Sequence, residues 1–143
     1  MGKTTVFAGD FLKLILNATA IADLADNDAT SPLTALFVSL HTADPGVGGS
    51  QNTNEISYTG YARVSVARTA GGWTVVGNVV SPTAAITFGQ MTAGAGGTAT
   101  FAGIGTLVSG AGKLMWSGTL TPNIVVINGV TPVIPTTSTI TET

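Results

Sequence analysis

Cysteine is absent, histidine occurs once, and charge is scarce, with five Lys/Arg and seven Asp/Glu in 143 residues. Without cysteine there is no disulfide framework and no thiolate chemistry. With a single imidazole, a nucleophile–His–acid triad would have to be built on His41. The cations are scattered and the net charge is −2, so the clustered basic footprint of a nucleic-acid binder is missing. Charged residues make up 8% of the chain, against about 25% in an ordinary globular protein. The surface must therefore be largely Thr, Ser, Asn, Gly and Ala, which is easily desolvated against a neighbour. Charge depletion of that kind marks interface cores and suits a subunit of a large assembly.

Long hydrophobic runs are missing too. The longest apolar stretch, Phe11 to Ala25, is broken by Lys13, Asn17, Thr19 and Asp23, short of the ~20 apolar residues of a membrane span. Lys3 stands nearly alone before it, and Ala18-Thr19-Ala20 is a weak cleavage-site match. Synthesis in the cytoplasm and an unprocessed chain are expected, with no membrane partner.

Metal and phosphate chemistry also lack their parts. Asp23, Asp26 and Asp28 form a carboxylate cluster, but it runs into Ser31-Pro32-Leu33 without the glycine and terminal glutamate of a calcium loop. A solvated helix end explains the three better than a metal site does. Gly94-Ala95-Gly96-Gly97 and Gly103-Ile104-Gly105 lack the downstream Lys-Ser/Thr of a phosphate loop. His41, at a strand end just before a turn, reads as a structural or surface residue. Asp44, in that turn, is placed to bond its own backbone two residues on. No catalytic, cofactor or metal residue is assigned.

What is present falls into two textures. From Asp10, as N-cap, the apolar residues Phe11, Leu14, Ile15, Ala18, Ile21 and Ala22 recur three or four apart, predicting an amphipathic helix of about fifteen residues. After Pro32, Thr- and Gly-rich runs alternate with turns at β-sandwich spacing. Strands are expected near 34–42, 61–70, 73–81, 84–88, 98–107, 113–120, 124–128 and 138–141. Ala70-Gly71-Gly72 and Ser109-Gly110-Ala111-Gly112 serve as hairpin turns between neighbouring strands, and Pro82 belongs at a strand start or edge. Pro132 and Pro135 make the tail an extended arm or a broken last strand.

The prediction is one domain over 1–143, mainly β: an antiparallel, jelly-roll-like β-sandwich with one N-terminal α-helix. Within it, residues 1–30 are arm and helix, 33–128 the sandwich, and 129–143 the C-terminal arm or last strand. Interface candidates are Phe11, Leu14, Ile15 and Ile21 on the helix, Arg63 and Arg68 on the best-alternating strand, and the anchors Trp73 and Trp116. Tyr58 and Tyr61 join the tryptophans as core or interface aromatics rather than a sugar platform. Arg63 and Arg68 have few carboxylates to pair with. Asp44, Glu55 or a neighbouring subunit are the options, with Glu55 favoured for Arg63.

The phrasing LFVSLHTADPG, then GS, TNE, YTGYARVSVAR and GGWTVVGNVVS between Leu36 and Ser81, resembles a family of small tailed-phage virion proteins described as cement, decoration or tail-fibre-like. The resemblance runs from the N-terminal helix to about Leu120. It implies a non-enzymatic role on the virion. The expected role is a cement protein on the outer capsid surface that bridges major capsid protein subunits, as a homodimer or homotrimer without cofactor. The alternative is a tail or head fibre that contacts the host, possibly trimeric. Neither the repeat nor the coiled-coil shaft of a long fibre is present.

Overall fold

The computed structural model describes residues 3–22, 24–27 and 31–143. The chain separates into two compact units, one of Met1–Ala35, Val66–Ala85 and Ile134–Thr143, the other of Leu36–Ser65 and Ile86–Val133. One helix, α1 (Thr5–Asn17), precedes nine strands: β1 (Ala35–His41), β2 (Val64–Ala67), β3 (Trp73–Val76), β4 (Val79–Pro82), β5 (Ile86–Thr87), β6 (Gly97–Gly105), β7 (Leu114–Val126), β8 (Val133–Ile134) and β9 (Ile140–Thr141). They form a four-stranded sheet ordered β2-β1-β6-β7, a three-stranded sheet β3-β4-β9 and a pair β5-β8. The class is the expected one, mainly antiparallel sheets of sandwich type with a single N-terminal helix among the described residues.

In the first unit the helix starts earlier and stops sooner than its apolar spacing predicts. Thr4, not Asp10, is the N-cap, its hydroxyl accepting the Phe7 N–H at 3.3 Å. The buried line is Ala8, Leu12 and Leu16, with Gly9 beside it. Phe11, Leu14 and Ile15 lie on its half-buried flanks. The early turns escape a periodicity count because their inward residues are small: a methyl on Gly9 would collide with the Gly77 carbonyl. The helix ends where Ala18 turns left-handed (φ 53°), so Ile21 is buried outside it, in a bridge to Ala25.

Arg68 explains how this end is tolerated. Its guanidinium donates to the Leu14 carbonyl (3.0 Å) and the Ile15 carbonyl (2.7 Å), with further bonds to Leu33 O and Asn27 Oδ1. A fixed positive charge thus sits on the orphan carbonyls at the negative end of the helix dipole. Asn17, its amide nitrogen turned toward the sheet, donates to Trp73 O and Thr69 O at 3.2 Å.

The expected strand 73–81 is two strands. Gly77-Asn78 turns β3 back onto β4, with Gly77 at φ 60° and Val76 opposite Val79. Ala70-Gly71-Gly72 is therefore not a hairpin turn, since β2 and β3 belong to different sheets. Pro82 ends β4 opposite Trp73. The tail pairs within its own chain: β9 joins β4 through Val80 and Ile140, and Glu142 exchanges bonds with Asn78 and meets Lys3 at 2.9 Å.

In the second unit β1 and β6 pair from Phe37 opposite Gly105 to His41 opposite Phe101. Val38, Ser39, Leu40 and His41 are all buried, so both faces of β1 are covered where alternation alone predicts one. Leu36, Val38, Leu40, Ile56, Ala99 and Val126 are among the core side chains. The expected turn 109–112 does join β6 to β7, which pair antiparallel. The two expected strands 113–120 and 124–128 are the halves of β7. It loops out through residues 120–123 between the pairs Phe101–Thr119 and Ala99–Ile124, with a cis Thr121-Pro122 bond.

Candidate functional site

The richest polar constellation lies in the second unit, where the connection between β1 and β2 folds back over the end of β1. Backbone bonds from Thr42 N–H to Asn54 O (2.8 Å) and from Ile56 N–H to Leu40 O (2.9 Å) hold it there. At its outer turn the Gly46 N–H donates to Asp44 Oδ1 at 2.8 Å, as the turn chemistry predicts.

Two residues apart on one strand, Ser39 and His41 share a face, and both are 0% exposed. His41 Nδ1 lies 2.8 Å from the Thr53 carbonyl and Nε2 lies 2.9 Å from Ser39 Oγ. A carbonyl can only accept, so Nδ1 carries the proton and Nε2 accepts from the Ser39 hydroxyl. Burial pushes the imidazole below its ordinary value, and Arg63 adds to this against the opposing pull of the Thr53 carbonyl and Glu55.

A serine hydroxyl on an imidazole is half of a nucleophilic site, but this pair is sealed. Gly103 of β6 lies opposite Ser39, and a methyl there would sit 2.7 Å from His41 Nε2 and 3.0 Å from Ser39 Oγ. Backbone packs directly on the pair, so no substrate can approach it. The pair is an internal fastening between β1 and its connection.

Arg63, expected to pair Glu55, does so with both prongs: Nε to Oε1 and Nη2 to Oε2, each 2.7 Å. Tyr61 donates to Glu55 Oε1 at 2.8 Å and accepts the Leu40 N–H at 3.1 Å, while its ring stacks on Phe88 at 6.1 Å. Burial drives the Tyr61 hydroxyl well above the usual tyrosine range, and Glu55 reinforces that. Glu55 in turn raises Arg63, so this cation is permanently charged.

The remaining Arg63 donors reach Leu107 O (2.9 Å) and Gly110 O (2.7 Å) in the β6–β7 loop. Gln51, also 0% exposed, accepts the Leu107 N–H at 2.8 Å through Oε1, and its backbone N–H donates to Gly112 O at 2.9 Å. Gly105 and Gly112 give this side chain its room, since a methyl on either would overlap it. Residues 107–112 are thus held from beneath by a buried arginine and a buried glutamine. The loop turns Leu107 and Val108 to solvent, 49% and 61% exposed.

The interface candidates separate. Phe11, Leu14, Ile15, Ile21, Arg68 and Trp73 belong to the first unit, Arg63 and Trp116 to the second. Trp73 is 2% exposed and its indole N–H has no hydrogen-bond partner; Trp116 is half-buried in β7. Ser39 and Gln51 are the participants the sequence did not announce. Gly105, inside a strand, and Gly112, at the end of the 109–112 turn, are the trace Gln51 leaves there. An open cleft of about 280 Å³ beside β7, lined by Gly46, Val47, Gly49, Leu114, Met115 and Ser117, holds no charged side chain. Among the described residues no cluster of three or more His, Cys, Asp or Glu could hold a metal. Of the three clustered aspartates, Asp26 is exposed, and Asp23 and Asp28 lie outside the described residues.

The buried histidine sets a pH dependence. Because the folded imidazole binds its proton more weakly than the unfolded one, stability is complete above about pH 6.5 and declines as pH falls below it. Tyr61 acts at the other end: its raised value means stability is lost as pH rises past about 10. Thermal midpoints measured from pH 5 to 8 should fall on the acid side, and His41→Gln should flatten that slope. An unchanged slope in the variant would assign the acid sensitivity elsewhere.

A family model described as podophage GP4 fiber I protein gp80 matches residues 13–142, nearly the whole chain. No curated protein matches the sequence. The chain belongs to this phage fibre-protein family, and it is a virion structural protein.

Proposed function

We propose that this member of the fibre family is a non-enzymatic part of a tail or head fibre, acting through contacts with neighbouring subunits and the host rather than through chemistry. The family match over residues 13–142 carries this reading, and it favours the fibre over the capsid-cement role that the sequence first suggested. The geometry supports it: the one Ser–His pair is sealed, and the buried ionic groups are spent on holding loop backbone. The protein works as a homo-oligomer, with neither cofactor, nucleic acid nor membrane among its partners.

With five Lys/Arg and seven Asp/Glu in the chain, its contacts are mainly apolar and hydrogen-bonded, because exposed ion pairs contribute only ~0–1 kcal/mol each. Release from purified particles should accordingly change little between low salt and ~0.5 M NaCl and should need urea, which solvates apolar and peptide groups alike. Release by salt alone would contradict the contact chemistry. Copy number tests the role itself. A stoichiometry close to the other tail components is expected, and one comparable to the major capsid protein would restore the cement role.

A further inference from the structure

The connection between β1 and β2 is held by polar bonds rather than by an apolar core of its own. Of its residues 42–55 only Pro45 and Gln51 are buried, whereas β1 beneath it sends Leu36, Val38 and Leu40 into the core. Segments with few buried apolar contacts open at the lowest cost. The inner fastening of this one is His41, which donates from Nδ1 to the Thr53 carbonyl and accepts from Ser39 Oγ at Nε2.

That fastening requires a neutral ring. A proton on Nε2 makes the Ser39 hydroxyl turn round, toward the Gly103 carbonyl at 3.5 Å, well beyond the ~2.5–3.0 Å usual for such a bond. Backbone of β6 closes the Nε2 side, where a methyl on Gly103 would stand 2.7 Å away. Water therefore reaches a charged ring only if the connection lifts from the Nδ1 side. The charged groups facing the ring are Glu55, which favours the imidazolium, and Arg63, which opposes it. Arg63 already occupies both Glu55 oxygens, and Tyr61, on the same carboxylate, stays protonated. Asp44, in the outer turn, is bonded to the Gly46 N–H. Strands β2, β6 and β7 carry no ionisable residue, and β1 has none besides His41.

We propose that His41 is an acid-sensitive latch whose protonation frees the 42–55 connection and, through it, loosens the 107–112 loop while the sheet stays folded. The coupling is built into the connection, where Gln51 and Glu55 stand two residues to either side of Thr53. Gln51 accepts the Leu107 N–H and donates its own N–H to Gly112 O. Glu55 fixes the guanidinium that binds Leu107 O and Gly110 O. Lifting the connection withdraws these partners together. The loop that turns Leu107 and Val108 to solvent then loses its braces, and a contact made through those side chains has to order it first. Burial holds the folded ring below its ordinary value, so the opening becomes easier as pH falls below about 6.5.

Amide hydrogen exchange of the intact chain, corrected for the intrinsic rate at each pH, tests this. The reporters are the amides of Thr42, Gln51 and Leu107, bonded to Asn54 O, Gly112 O and Gln51 Oε1. They should be less protected than the β1–β6 ladder and should lose protection together in acid, by up to about tenfold per pH unit, the slope of one proton. Low urea should leave them unchanged while it speeds the ladder, because a local opening exposes little surface. His41 is the chain's single histidine, so its ring resonances give the protonation midpoint directly, and the acid loss should level off there. His41→Gln should remove the acid response of all three amides. Reporters that share the ladder's protection and urea response would overturn the latch, since the connection would then open only with the whole sheet. So would a Leu107 amide unchanged across the histidine titration, or an acid response retained in His41→Gln. The wild-type comparisons decide the matter even if that variant fails to fold.

Discussion

Arg63→Ala is expected to destabilise the chain by about 3–5 kcal/mol, the range for removing one partner of a buried ion pair. The side chains of Arg63 and Glu55 are 2% and 15% exposed, so solvent cannot replace the lost partner. The deletion strands the Glu55 carboxylate and releases the carbonyls of Leu107 and Gly110. Arg63→Lys should recover little, because one ammonium cannot serve two carboxylate oxygens and two carbonyls in a fixed fork. The paired replacement Arg63→Met with Glu55→Met should be milder than the single deletion, since it leaves no uncompensated charge. Urea denaturation of the four proteins reads this out. A single deletion within about 0.5 kcal/mol of wild type, the usual range for a surface substitution, would show the network to be incidental.

Leu12→Ala should cost about 2–5 kcal/mol, the range for truncating a buried leucine. Leu12 is 0% exposed on the inward line of α1, whereas Val6 on the same helix is 75% exposed. Val6→Ala should stay within about 0.5 kcal/mol. The contrast separates the buried line of the helix from its exposed face. Urea midpoints with equal slopes measure both; equal losses at the two positions would place the helix differently.

The parts of the fold that sequence makes legible are those encoded by local chemistry. Alternation located β1 and β6 to within two residues, and the turn at 109–112 and the Asp44 turn follow from residue type. The Arg63–Glu55 pair was legible because Glu55 lies in the connection that leads into the strand of Arg63. The helix phase was hidden by Gly9, whose packing value lies in having no side chain where the Gly77 carbonyl approaches. The Gly77-Asn78 turn was a local feature too, masked by the valines on both sides of it. Gln51 could not be read from its neighbours: its partners, at Phe37, Leu107 and Gly112, are brought to it only by the sheet. Likewise Ser39 and His41 are separated from Gly103 by some sixty residues of chain, so the seal over them exists only in three dimensions.

The central claim is that this chain is a fibre component of the virion, and its position in an intact particle tests that directly. Antibody-gold labelling of purified phage, or density for this fold in a particle reconstruction, locates it. Label confined to fibres at the tail or on projecting head fibres is the predicted result. Label spread over the capsid lattice, one position per capsomer boundary, would contradict it.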